Sequence, residues 1–182
     1  MAPVHDAAQD NDVATLGGLL DLWPWMIEAE DEEDEDGDSP LHVACVFGSL
    51  DAARLLLDRG AVIDARDREG ITPLMLACCG GFVDLVEMLL RRGADPTLST
   101  APGCTTLVFT VDELEEVDEE DEFPVNSARD YPAVLRLLLA DGRAQVDACA
   151  HGATALWWAC SGGNLDEVGE WSYGATAGTH SA

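Results

Sequence analysis

The chain repeats part of its own sequence at an interval of 33 residues. The segment 39–45 (SPLHVAC) aligns with 72–78 (TPLMLAC), and Gly48 falls on Gly81. The leucine-rich run 55–57 falls on 88–90 in the same register. A period of this length indicates a stack of similar helical units, in which each unit buries its apolar face against its neighbours, rather than one globule with a single core.

Residues at fixed places in the repeat predict two helices per unit. A hydroxyl residue followed by proline begins the first helix, because proline has no amide hydrogen to lose there. Gly48 and Gly81 fit the turn between the helices, and Gly60 and Gly93 fit the left-handed conformation that ends the second helix. Small residues on the first helix and leucines on the second favour close packing between units.

The repeat extends in both directions. Downstream it continues at 103–107, is interrupted by an acidic run, and resumes at 134–139 and 152–160. Upstream, residues 4–8 match the helical part of a unit at an offset of 37. The sequence therefore predicts about five units, of which the outer two are atypical.

These residues resemble the ankyrin-repeat family, most closely over 67–74 (DREGITPL) and 92–95 (RGAD). The resemblance implies an all-α fold, an ankyrin-repeat solenoid of stacked antiparallel helix pairs with hairpin-like loops. The expected organisation is a degenerate capping repeat over 3–27, an acidic insertion over 28–38, ankyrin repeats over 38–168 and a flexible tail over 169–182. Within 38–168 the expected units are 38–70, 71–103, 104–152 with an acidic insertion at 112–122, and an incomplete unit at 153–168.

The resemblance also identifies a histidine that bridges backbone groups of adjacent units. His42 keeps this position, whereas Met75, Val108 and Trp157 replace the histidine in later units. We therefore expect a weakened polar network between the units.

Binding residues follow from the resemblance, because the family uses the tips of its loops and the concave side of its first helices. Phe47 is the expected anchor, since an exposed aromatic ring is costly unless a partner covers it; packing onto the tryptophan-rich N-terminal unit is the alternative. Trp23 and Trp25 are expected to fill the core or the cap, with partner contact as the alternative. The predicted partner-binding set is Glu35, Asp36, Asp38, Val46, Phe47, Arg68, Glu69, Ile71, Cys79 and His151.

Charge limits the class of partner. The net charge is -27, and the runs 28–38 and 112–122 each place nine acids in eleven positions. Such a surface repels nucleic acid and anionic membrane and attracts basic proteins. Salt screens both forces, so they act over a short distance. The alternative is that the acidic runs are solvated insertions that only confer solubility.

The sequence favours a monomeric, non-catalytic scaffold for protein–protein interaction inside the cell, in the cytoplasm or nucleus. It contains no apolar run long enough to span a bilayer and no secretory signal. Cys45, Cys78 and Cys160 occupy the same slot of successive units, which indicates core filling, and we expect no metal site and no cofactor. The alternative is a fragment of a multidomain enzyme, such as a ubiquitin ligase or kinase, in which the repeats select substrate or regulate.

Overall fold

A computed structural model of the chain describes residues 3–30, 37–100, 103–107, 110, 130–144, 149–150 and 153–154. The acidic insertion at 112–122, most of the incomplete unit at 153–168 and the tail at 169–182 lie outside these residues, so their predicted boundaries stay predictions. The elements are α1 (Pro3–Gln9), α2 (Val13–Leu22), the 3₁₀-helix η1 (Pro24–Glu28), α3 (Pro40–Val46), α4 (Leu50–Asp58), α5 (Pro73–Cys79), α6 (Val83–Arg91), α7 (Tyr131–Asp141), and the two-residue strands β1 (Cys149–Ala150) and β2 (Ala153–Thr154).

The helices begin where the repeat predicts. Ser39 and Thr72 are the residues that precede α3 and α5, and a proline occupies the first helical position of each. The hydroxyl of Thr72 accepts a hydrogen bond from the backbone N–H of Met75, which satisfies one of the free N–H groups at the start of α5. Asp130 caps α7 in the same way, with its carboxylate accepting from the N–H of Ala133.

The helices stack in rows. The first helices α1, α3 and α5 contact one another in sequence, α2 contacts α4, and α6 contacts α7. Each first helix also packs on the second helix of its own unit. One continuous core runs through these contacts, and its largest fully buried apolar residues are Leu16, Leu41, Leu56, Leu74, Met75, Leu85, Leu89, Leu107 and Leu138. The predicted all-α solenoid of stacked helix pairs is confirmed, and the antiparallel pairing of β1 with β2 forms a short hairpin of the expected kind.

The glycine of the helix–helix turn is required for two reasons. Gly48 has a φ of 69°, a conformation that costs an L-residue about 1–2 kcal/mol. An added Cβ would also lie 2.7 Å from Cε1 of Phe82, because the ring of Phe82 rests against this turn. Gly60 has a φ of 96° but open space around it, so it isolates the backbone effect from the steric one.

We expect Gly48→Ala to lower the free energy of unfolding by about twice as much as Gly60→Ala, which should cost roughly 1 kcal/mol. Urea denaturation followed by circular dichroism measures both values. Equal losses in the two variants would show that Phe82 moves aside freely and does not fix the spacing between the second and third units.

Candidate functional site

The loop before the third unit is fixed to the second unit by His42. Its Nδ1 accepts a hydrogen bond from the backbone N–H of Ser39 at 3.2 Å, so the proton lies on Nε2. Nε2 lies 3.2 Å from the carbonyl oxygen of Ala65 and 3.3 Å from that of Ile71 and donates to them. Burial lowers the pKa of His42, against the opposing effects of Asp67 and the two carbonyls. The neutral ring therefore holds both ends of the loop.

His5 makes the equivalent contact one unit earlier, which the sequence analysis missed. Its Nε2 lies 2.9 Å from the carbonyl oxygen of Ala29 and 3.1 Å from that of Asp38. The offset of 37 that aligns residues 4–8 with the second unit places His5 on His42, so the signal was present in the sequence. Among the first helices that the structure describes, only α5 lacks a histidine at this position and has the fully buried Met75 instead.

The loop tip at 67–70 is a tight, internally bonded turn. The carboxylate of Asp67 accepts from the backbone N–H groups of Glu69 at 2.9 Å and Ile71 at 2.8 Å. The Asp67 N–H donates to the carbonyl of Ile71, and the Gly70 N–H donates to the carbonyl of Asp67. The side chains of Arg68 and Glu69 are exposed at this tip, whereas Ile71 is half-buried at its base.

Arg68 connects this tip to the preceding loop. Its Nη2 lies 3.3 Å from Oε2 of Glu30, and a Cβ on Gly37 would lie 2.9 Å from its Nε, so the side chain lies across Gly37. Asp38, which is half-buried, follows Gly37 and offers its carbonyl to His5. The structure therefore places Asp38, Arg68, Glu69 and Ile71, all predicted site residues, along one row of loops; we call these four residues the loop-tip surface.

The other described members of the predicted set lie at the far end of the first helices. Val46 is the last residue of α3, Cys79 is the last residue of α5, and both are half-buried. About 10 Å of helix separates this end from the loop tips, since a seven-residue helix rises about 1.5 Å per residue. Glu35, Asp36 and His151 lie outside the described residues, so the structure does not place them.

Phe47 lies at the same far end and lines a groove of about 260 Å³ between the second and third units. The groove neighbours of Phe47 come from these two units, not from the tryptophan-rich N-terminal unit. A charged recess of about 340 Å³ adjoins it and shares two of its residues. The groove is lined by Phe47, Gly48, Leu50, Phe82, Val83, Asp84 and Leu85, and the recess by Leu50, Arg54, Asp84, Glu87, Met88, Arg91 and Arg92.

The expectation that Trp23 and Trp25 fill the core is wrong. Trp23 is 45% exposed and Trp25 is 69% exposed. The neighbouring Met26 and Ile27 pack against the core in their place. Sequence alone could not assign the inward positions, because Pro24 opens a 3₁₀-helix whose period of three residues differs from the helical period of the repeat.

The cysteines occupy structural positions. Cys45 and Cys78 are fully buried, as core filling predicts, and burial raises the pKa of both thiols well above the usual value. Cys79 and Cys104 are half-buried, and none of these four cysteines forms a disulfide. Among the described residues, no three His, Cys, Asp or Glu side chains come together in a way that could hold a metal ion.

Stacked helix pairs, loops clamped by buried histidines and an exposed row of loop tips define a helical-repeat solenoid of the kind that binds other macromolecules. Residues 4–100 match the sequence profile of the family described as ankyrin repeats, in three copies. The chain belongs to the ankyrin-repeat family. Ankyrin repeats are generally modules for protein–protein interaction and are typically non-catalytic.

No curated protein matches the chain. In the part of the chain that the structure describes, no helix has the length and apolar character needed to cross a bilayer.

Proposed function

We propose that this chain is a non-catalytic ankyrin scaffold that binds a protein or peptide through its loop tips and concave face, and that it favours basic partners. The observation that carries the proposal is the loop-tip surface. The backbone hydrogen bonds of residues 67–71 are made within the loop or to His42, and the carbonyl of Asp38 accepts from His5, so the loop backbone is already held in place before a partner arrives. A preorganised surface loses little conformational freedom on binding.

The preference for basic partners rests on the charges around this surface. Glu69 is exposed at the tip, and Glu30 lies beside Arg68 on the adjoining loop. The ion pair between Glu30 and Arg68 is solvent-exposed on both sides and so contributes little to stability. The acidic run 28–38 leads directly into this row of loops and adds to its negative field. Glu35, Asp36 and His151 join the proposed surface by their positions in the repeat.

We also propose that the protein is a monomer and that it lies in the cytoplasm or nucleus. None of the cysteines at 45, 78, 79 and 104 forms a disulfide, which suits a reducing compartment. The high net negative charge opposes self-association.

We expect Glu69→Arg to weaken binding of arginine-rich synthetic peptides several-fold, because it reverses the charge at an exposed position of the loop-tip surface. Binding is measured by fluorescence anisotropy against a panel of peptides of equal length and graded net charge, at low and high salt. Asp10→Arg is the matched control: it makes the same charge change at an exposed residue in the turn after α1, at the opposite end of the first helices. An equal effect of the two variants, or affinity that ignores peptide charge and salt, would contradict the proposal.

A further inference from the structure

Most of the large apolar side chains that the described residues expose are concentrated at one place, around η1 and the end of α2. They are Val13 at 38%, Leu22 at 69%, Trp23 at 45%, Trp25 at 69% and Val62 at 54% exposure. All except Val13 lie around the end of α2, η1 and the loop that η1 contacts; we call Leu22, Trp23, Trp25 and Val62 the tryptophan patch. Exposed aromatic residues grouped in this way mark a contact surface, because leaving them in water is unfavourable.

The geometry of η1 explains why Trp25 faces outward. In a 3₁₀-helix, side chains three residues apart lie above one another, so Trp25 and Glu28 share one face. Ile27 turns the other way and lines a recess with Leu20 and Arg59. The inward side of η1 is thus fixed by packing, and the outward side presents an indole ring next to a carboxylate.

Glu28 joins the ring to the rest of the patch. Its Oε1 accepts a hydrogen bond from the backbone N–H of Val62 at 2.7 Å, which brings the exposed Val62 side chain beside it. Because this donor is an uncharged amide, the bond holds the carboxylate in place without neutralising it. The negative charge of Glu28 is therefore held in place between the side chains of Trp25 and Val62.

The charge around the tryptophan patch indicates which class of partner can bind there. Arg59 lies beside η1 but pairs with Asp21, and the strongly acidic run 28–38 begins at the last residue of η1. A second copy of the chain would bring the same negative charge to the contact, and an anionic membrane would be repelled. A cationic side chain, by contrast, can lie over an indole face while it pairs with a carboxylate.

The geometry points to the tryptophan patch as a second docking surface, for a protein segment that carries Arg or Lys next to a bulky apolar residue. The cation lies against Trp25 and Glu28, and the apolar residue covers the remaining patch. This surface shares no residue with the loop-tip surface but adjoins it at the ion pair between Glu30 and Arg68, so one partner can contact both.

The test uses isothermal titration calorimetry with the full chain and a synthetic peptide of alternating arginine and leucine. We expect Trp25→Ser to weaken binding on the order of tenfold, since aromatic anchors dominate such interfaces. Val13→Ser, at the other end of α2, is the matched control for loss of an exposed apolar group and should change the affinity little. A peptide with serine in place of leucine, and one with glutamate in place of arginine, should both bind more weakly than the parent peptide.

Glu69→Arg separates this inference from the proposed function, because it alters the loop-tip surface and leaves the tryptophan patch intact. The inference is overturned if Trp25→Ser binds the parent peptide as tightly as the unaltered chain, or if the serine peptide binds equally well, since charge alone would then account for the binding. Concentration-dependent dimerisation that Trp25→Ser abolishes would overturn it in favour of a second copy. Binding to phosphatidylcholine vesicles that Trp25→Ser abolishes would overturn it in favour of a lipid surface.

Discussion

Replacing Leu56 by alanine is expected to lower the free energy of unfolding by about 3–5 kcal/mol, as measured by urea denaturation. Leu56 lies in α4 and is fully buried in the core. Removing three carbon atoms there loses apolar burial and leaves a cavity, because neighbouring helices are held apart by other contacts. A loss of this size is a large part of the stability of a small domain.

Leu22→Ala is the matched control, since it makes the same chemical change at a leucine that is 69% exposed. It should change the free energy of unfolding by less than about 0.5 kcal/mol. Similar losses in both variants would mean that the stack does not bury Leu56 in solution. A loss confined to a partial first transition would instead show that α4 unfolds separately from its neighbours, against the nearest-neighbour coupling expected of a solenoid.

The parts of the fold that sequence could predict are those fixed by near neighbours in the chain. Thr72 followed by Pro73 begins a helix whatever surrounds it, and a left-handed glycine such as Gly48 allows a tight turn by its own backbone freedom. Because the pattern recurs every 33 residues, each local prediction applies again in the next unit. These features needed no knowledge of tertiary contacts, and the structure has them at the predicted residues.

The parts that sequence could not predict depend on how units meet. Phe47 lines a groove together with Phe82 of the next unit, whose ring rests on Gly48, and no residue of the second unit reveals this arrangement. Trp25 is exposed because Met26 and Ile27 take the inward positions of η1. Packing decides which of Trp25, Met26 and Ile27 face the core, and the periodicity of the sequence does not predict it.

The predicted binding set divides for the same reason. The repeat assigns each residue a place within its unit but does not state which places form one surface. The structure brings Asp38, Arg68, Glu69 and Ile71 into one row of loops and puts Val46, Phe47 and Cys79 at the other end of the first helices. A partner that contacts both groups must span the length of a first helix.

His42→Met is expected to lower the free energy of unfolding at pH 7.5 by about 2–3 kcal/mol. Methionine fills the equivalent place in the third unit, where Met75 is fully buried, so its volume suits this position. The loss comes from polar groups: the N–H of Ser39 and the carbonyl of Ala65 lose their partner, and the carbonyl of Ile71 keeps only the N–H of Asp67. A buried polar group without a hydrogen bond is more costly than the bond itself is favourable.

The same variant should remove part of the pH dependence of stability. Burial lowers the pKa of folded His42 below its usual value of about 6.5, so the unfolded chain binds a proton at a pH where the folded chain does not. The contribution of His42 to the free energy of unfolding is therefore fully present above about pH 6.5, and it is lost as the pH drops towards the folded pKa. For this one group the loss is at most about 1.4 kcal/mol per pH unit. Proton binding at Nδ1 also abolishes the acceptor that holds Ser39.

Denaturation of both proteins between pH 7.5 and pH 5.5 isolates this effect, because most carboxylates stay ionised over that interval. The difference in stability between the original chain and His42→Met should shrink as the pH falls. A difference that stays constant would show that His42 titrates alike in the folded and unfolded states, against the lowered pKa of the folded chain. The result matters for binding, since Nε2 of His42 donates to the loop that carries Arg68 and Glu69, and a proton on Nδ1 removes the bond from the N–H of Ser39 that orients the ring.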